Sequence, residues 1–272
     1  MRIHKIRIDM TIVLLCALPT LAHAKDTFFN DESHRLPVDN FNPPLTDTLA
    51  VLLTDLDDDK DVDIFLVQGT SSFDSRQNRI LINDGHGSFG DETATRLSQT
   101  MNNSAETDAA DIDNDGDIDI IVANLGAEQL LVNDGHGYFT DASAAHLPAP
   151  LVNMMEDISA EARFFDVDRD GDLDILVGSE NPFSRDPLGG AQNRLWINDS
   201  HGHFADETAA RFPALSDASR DAKLGDVDGD GDLDLDLDLF VVNSRAQQNR
   251  LYFNQWSRCL YRCYQRAPSC AS

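Results

Sequence analysis

Asp111-Ile-Asp-Asn-Asp-Gly-Asp-Ile-Asp-Ile-Ile-Val122 passes from an acidic loop to an apolar strand within twelve residues. The pattern returns at Asp55 (Asp-Leu-Asp-Asp-Asp-Lys-Asp-Val-Asp), Asp166 (Asp-Val-Asp-Arg-Asp-Gly-Asp-Leu-Asp) and Asp226 (Asp-Val-Asp-Gly-Asp-Gly-Asp-Leu-Asp). Start-to-start spacings are 56, 55 and 60 residues. A period of that size means an array of supersecondary units.

A hard cation takes six to eight oxygens, and a loop with carboxylates at alternate positions and a backbone carbonyl among them supplies such a set. The candidate ligands are Asp55, Asp57, Asp59, Asp61 and Asp63; Asp111, Asp113, Asp115, Asp117 and Asp119; Asp166, Asp168, Asp170, Asp172 and Asp174; and Asp226, Asp228, Asp230, Asp232 and Asp234. Calcium is the expected occupant. An EF-hand needs a bidentate Glu at position 12 and flanking helices, but that position is Leu66, Val122, Val177 or Leu237. Each loop therefore feeds a strand. The competing reading is a solvated acidic turn; it has most weight in the first copy, where Lys60 replaces the glycine that bends the backbone.

The segments between the loops repeat as well. Ile64 to Gln68 and Asn78 to Asn83 read as strands, followed by the turn Asp84-Gly-His-Gly87 and then Ser88 to Thr93. The same phrases recur as Gln129 to Asn133, Asp134 to Gly137 and Tyr138 to Asp141, and again as Asn193 to Asn198, Asp199 to Gly202 and His203 to Thr208. Glycine-rich turns between short β-branched runs signal hairpins. Each repeat parses into four strands: one entering the aspartate loop, one leaving it, one ending in Asn-Asp, and one carrying Phe-x-Asp-Glu-Thr. That is the content of a propeller blade. A calcium-binding β-helix would need a nine-residue period, which is absent.

The loops and the Asn-Arg-Leu-x-x-Asn-Asp-x-x-Gly-x-Phe-x-Asp-Glu-Thr phrase resemble the FG-GAP/VCBS repeat family, the integrin-α-like β-propellers, and the secreted acidic repeats of the cartilage acidic protein type. The resemblance implies an all-β propeller over residues 25–255 with a Ca2+ loop in each blade. About four blades are visible. Phe29-Asn-Asp-Glu-Ser-His-Arg-Leu-Pro37 parallels Phe204 to Pro213, so it can complete a fourth repeat that stops at Asn254; the alternative is a truncated larger propeller.

Several classes are excluded or set aside. Residues 1–24 combine Arg2, Lys5 and Arg7, an apolar run from Met10 to Leu21, and Ala22-His23-Ala24, the pattern of a secretory signal peptide cut after Ala24. Removing them takes away three bases and one acid and moves the net charge from −27 to −29. Such a field disfavours nucleic acid and anionic membranes and favours divalent cations. A secreted or periplasmic monomer without membrane insertion is expected. Residues 256–272 hold Cys259, Cys263 and Cys270 with three arginines; they read as an unstructured tail, with a disulfide or metal knot as the alternative.

No nucleophile elbow, phosphate loop or zinc helix is present, so no catalytic residue is assigned and an enzyme is not expected. The rival reading is a propeller that accompanies or performs polysaccharide or phospholipid cleavage. His86, His136 and His201 recur in turns and are read as turn residues. The loops at Thr70 to Gln77, Leu125 to Glu128, Asn181 to Gln192 and Ser244 to Gln248 vary in length on a repeated scaffold, the usual placement of a binding surface. Phe73 and Phe183 are candidate contacts for an extracellular protein or glycan.

Overall fold

The structure, a computed structural model, describes residues 30–37, 47–69, 75–150, 158–180, 190–225, 227, 238–255 and 259–262. The chain divides into two compact units, Met1–His34 and Arg35–Ser272. In the first, Asp31 Oδ1 accepts the backbone N–H and the hydroxyl of Ser33 at 3.0 and 2.5 Å. Every sheet among the described residues lies in the second.

Four antiparallel sheets follow one another along the chain. The first consists of β1 (Asp47–Thr54), β2 (Asp63–Gly69), β3 (Arg79–Asn83) and β4 (Phe89–Asp91), in that spatial order. The second repeats it with β5 (Ser104–Ala110), β6 (Asp119–Asn124), β7 (Gln129–Asn133) and β8 (Phe139–Asp141). The third uses β9 (Ser159–Phe165), β10 (Asp174–Ser179), β12 (Arg194–Asn198) and β13 (Phe204–Asp206), while β11 (Ala191–Gln192) pairs with β14 (Ser216–Asp217). The fourth is β15 (Ser219–Gly225), β16 (Asp238–Asn243), β17 (Arg250–Gln255) and β18 (Cys259–Arg262). A one-turn helix follows the outer strand of each of the first three: α1 (Thr93–Arg96), α2 (Ser143–His146) and α3 (Thr208–Arg211).

The sheets stack in chain order because each has two apolar faces. Adjacent residues of a strand point to opposite sides, and the buried residues fall into three clusters accordingly. Phe65, Val67, Ile80 and Ile82 of the first sheet meet Ile120, Val122 and Leu131 of the second. The opposite face of the second, Ile121, Ala123 and Leu130, meets Ala162, Ile175, Val177 and Trp196 of the third. Leu176, Leu195 and Ile197 then meet Ala222, Leu239, Val241 and Tyr252 of the fourth. The first strand of each sheet shifts register at the same place, between Thr48 and Ala50 in β1, Ser104 and Glu106 in β5, Ser159 and Glu161 in β9, and Ser219 and Asp221 in β15, a bulge that the repeat reproduces.

Two details of the fourth repeat differ from expectation. Its outer strand is β18, drawn from the tail, where Tyr252 lies opposite Arg262 and Gln255 opposite Cys259; the N-terminal phrase does not complete it. Cys-Leu-Tyr-Arg lacks the Phe-x-Asp-Glu-Thr signature, yet a strand edge recruits through backbone groups that any such segment carries. The aspartate that begins β16 is Asp238, where the sequence reading closed the loop with Asp234; it is buried and accepts the Val227 N–H at 3.0 Å. Residues 1–24, Phe73, Phe183, Cys263, Cys270 and the fourth-loop ligands Asp226, Asp228, Asp230, Asp232 and Asp234 lie outside the described residues.

Candidate metal centre

The three described aspartate loops share one backbone. Position 4 is left-handed in each, at Asp58 (φ 58°), Asn114 (φ 63°) and Arg169 (φ 62°), and so is position 6, at Lys60 (φ 76°), Gly116 (φ 98°) and Gly171 (φ 94°). The N–H of position 6 donates to the first aspartate: Lys60 to Asp55 at 2.9 Å, Gly116 to Asp111 at 3.0 Å, Gly171 to Asp166 at 3.1 Å. Lys60 thus adopts the conformation that glycine adopts elsewhere, and the first loop keeps its shape.

The aspartate at position 9 opens the following strand and ties the loop shut. Asp63 accepts the N–H of Leu56 at 2.9 Å and of Asn83 at 2.8 Å. Asp119 accepts from Ile112 and Asn133, and Asp174 from Val167 and Asn198. Asp238 makes the same tie to Val227, so it holds in the fourth repeat the place that the sequence gives to Asp234.

Carboxylates converge in every described loop. Asp55, Asp57 and Asp63 each offer an oxygen within 4.8 Å of the others, as do Asp111, Asp113 and Asp115, and Asp166, Asp168 and Asp174. Asp55 Oδ1, Asp57 Oδ1, Asp111 Oδ1 and Asp168 Oδ1 are buried without a hydrogen-bond partner. A buried carboxylate oxygen left unpaired is costly, and a bound cation is the group that removes the cost. Burial, and then neighbouring carboxylates, hold the Asp57 and Asp113 carboxyls above the usual range, and burial raises that of Asp170. Burial pushes Asp119 and Asp174 up to about 7. The donor set is all oxygen, dense and anionic, which fits a hard divalent cation.

The other candidate ligands stand around these triads. Asp59 and Asp170 each accept the N–H two residues on, from Asp61 at 2.9 Å and Asp172 at 3.1 Å. Asp61 lies 2.8 Å from where a Cβ on Gly85 would stand, and Asp117 lies 2.6 Å from the same point on Gly135. Those turns therefore require glycine beside the loop. Asp172 accepts the Ser200 hydroxyl, and Asn114 Nδ2 at 3.2 Å, which links the second and third loops.

The sequence did not reveal the links between repeats. Asn133 Nδ2 donates across to the Leu56 carbonyl of the first loop at 2.9 Å, and Asn198 Nδ2 to the Ile112 carbonyl of the second at 2.8 Å. Each also accepts through Oδ1 from its own turn, at Gly137 and Gly202. Arg96, at the end of α1, reaches Asp57 at 3.1 Å and the His136 carbonyl at 2.5 Å; Arg211 reaches Asp168 at 3.1 Å. In the second repeat the arginine is His146, which sits 2.8 Å from the Gly202 carbonyl and stacks on His203 with 4.2 Å between ring centres. The only sequence signal for these ties was recurrence: Asn closes the third strand and Arg ends the Asp-Glu-Thr phrase.

His86 and His201 place Nδ1 3.0 Å from the carbonyls of Asp84 and Asp199 in their own turns, in keeping with a turn role. At the other end of the sheets, Glu128 accepts Arg194 Nη2 at 2.5 Å and the Ser159 hydroxyl, and the Arg194 guanidinium lies 5.1 Å from the centre of the Trp196 ring. A cavity of about 380 Å³ lies beside them, walled by Ala127, Leu147, Pro148, Pro150 and Trp196. Glu180 gathers Arg220, Arg245 and Ser244 at 2.7, 3.3 and 3.1 Å.

The model of the FG-GAP-like repeat family matches residues 55–122, 111–177 and 166–235, each match running from one aspartate loop into the next. No curated protein matches the sequence significantly. Among solved structures, the chain is similar to an Agrocybe aegerita lectin that recognises non-reducing terminal N-acetylglucosamine, at 18% identity and TM-score 0.43, over 79% of this chain and 52% of that one. It is also similar to the V. cholerae biofilm matrix protein Bap1, at 16% identity and TM-score 0.42, over 79% of this chain and 30% of that one. The matched region spans about half of the first and less than a third of the second.

Proposed function

The chain belongs to the FG-GAP-like repeat family, and on that premise we propose that its sheets are blades of a Ca2+-bound β-propeller that recognises an extracellular protein or glycan. The observation that carries this reading is the set of buried, unpartnered carboxylate oxygens within the three described loops. Asp55, Asp57 and Asp63, then Asp111, Asp113 and Asp115, then Asp166, Asp168 and Asp174 would hold the ions, with the remaining loop aspartates around them. Asp226, Asp228, Asp230, Asp232 and Asp234 would serve a fourth site. Calcium would neutralise each cluster and fix the loop against the neighbouring turn.

The binding surface is assigned to the end opposite the aspartate loops, where loop length varies between repeats. The chain is read as secreted or periplasmic on the character of residues 1–24, and no helix among the described residues is long and apolar enough to cross a membrane. The carboxylates that could serve acid–base chemistry are committed to the loops, which favours recognition over catalysis. The test is a glycan and extracellular-protein array probed with calcium and again with chelator. Calcium-dependent binding lost on substitution in the Leu125 to Glu128 or Ser244 to Gln248 loops supports the reading. Reproducible hydrolysis of a polysaccharide or phospholipid, abolished by the same substitutions, overturns it.

A further inference from the structure

We infer that the two ends of the sheet stack are joined between copies of this chain, the outward face of the fourth sheet packing on the outward face of the first. Repeat arrays normally end in units with a polar outer side, because an end unit has no neighbour. Each end keeps apolar residues on its outer side, although on the fourth sheet Lys223 and Asp221, paired with each other at 2.6 Å, share that side. On β1, Val51 and Leu53 are 56% and 61% exposed, and on β16 Phe240 and Val242 are 40% and 37% exposed.

The register says what covers these positions inside the stack. Leu53 lies opposite Ile64 and Val51 opposite Leu66; the same positions in the second sheet are Ala109 opposite Ile120 and Thr107 opposite Val122. Ile120 and Val122 are fully buried against the first sheet. Phe240, opposite Leu251, matches Leu176, opposite Leu195, and both of those are fully buried against the fourth sheet. The exposed faces are thus the two halves of the interface that the molecule already builds three times. A surface of this kind marks an association site.

The N-terminal end carries a second sign. Arg35 Nη1 donates to the His86 carbonyl at 2.8 Å, just as Arg96 Nη1 donates to His136 in the next repeat. Arg35 therefore does for the first sheet what the end of a preceding sheet does elsewhere. The apolar residue that follows behaves differently. Leu97 and Phe212, after Arg96 and Arg211, are both 7% exposed and packed in sheet cores, whereas Leu36 is 43% exposed. Among the described residues no sheet precedes it, and the fourth sheet of a second copy would supply one.

A contact between unlike faces is head-to-tail, and such contacts close into a ring when the rotation allows. Sedimentation of the full calcium-loaded chain across micromolar concentrations tests this, alongside Leu53→Glu and Phe240→Glu. The wild type should reach at least twice the mass of one chain. Each substitution should weaken association at least about tenfold, or about 1.4 kcal/mol, while leaving the calcium-dependent melt in place. An equimolar mixture of the two variants should regain a two-chain species, because each retains the face that the other has lost. A wild type of single-chain mass at every concentration overturns the inference and favours closure within one chain; so does a Phe240→Glu variant that associates as the wild type does.

Discussion

Lys60 shows how a single residue can keep a loop that its side chain opposes. A residue with a Cβ at φ 76° carries strain of about 1 kcal/mol that glycine avoids. Lys60→Gly should therefore raise stability by about 1 kcal/mol in urea unfolding and tighten cation binding in the first loop, because Gly116 and Gly171 already occupy that conformation. Glu161 gives a residue-level pH dependence. Burial pushes its carboxyl from 4.5 up to about 7, against the pull of Arg163. A folded-state value above the unfolded one means that the folded chain binds the extra proton, so its contribution is complete below pH 4.5 and lost as pH rises to about 7. Glu161→Gln should flatten the pH dependence of the melting temperature across that window; an unchanged profile would remove Glu161 as its source.

At the scale of elements, the unit of construction is the aspartate loop of one sheet bound to the turn of the next. Asn133 and Asn198 make that joint, each donating to a loop carbonyl of the preceding repeat while accepting from its own turn. Replacing either with Ala leaves buried backbone groups unpaired, so each should cost about 1–3 kcal/mol. The Asn83 side-chain amide donates within its own loop, to the Val62 carbonyl at 3.1 Å, and Asn83→Ala should cost less in the same chemical-denaturation series. The strands themselves were legible in the sequence: Gln129 to Asn133 is strand β7 residue for residue, and the four-strand parse holds in the first three repeats. Local spacing encodes that much because a strand's alternation and a loop's aspartates repeat within a few residues. The joints were not legible, since Asn133 and Leu56 are 77 positions apart and Asn198 and Ile112 are 86 apart. The place of Asp238 was hidden for a different reason: residues 232–238 alternate Asp with Leu, so Asp234 and Asp238 look alike in sequence.

For the whole molecule, the proposed calcium sites would make the stability of a chain with a net charge of −27 depend on cation occupancy. An ion that binds only the folded chain adds about 1.4 kcal/mol per site at tenfold excess over its dissociation constant. The three described loops alone would give about 4 kcal/mol, or roughly 10 °C in a domain of this size. Double substitution of Asp111 and Asp113 with Asn should abolish about a third of that increment by the same linkage, leaving the other loops responsive. The most direct measurement is the thermal unfolding of the purified chain, stripped of divalent metal and then reloaded with calcium. A rise of at least roughly 10 °C on loading, reversed by chelator, is the predicted result; identical melting temperatures with and without calcium would contradict the account.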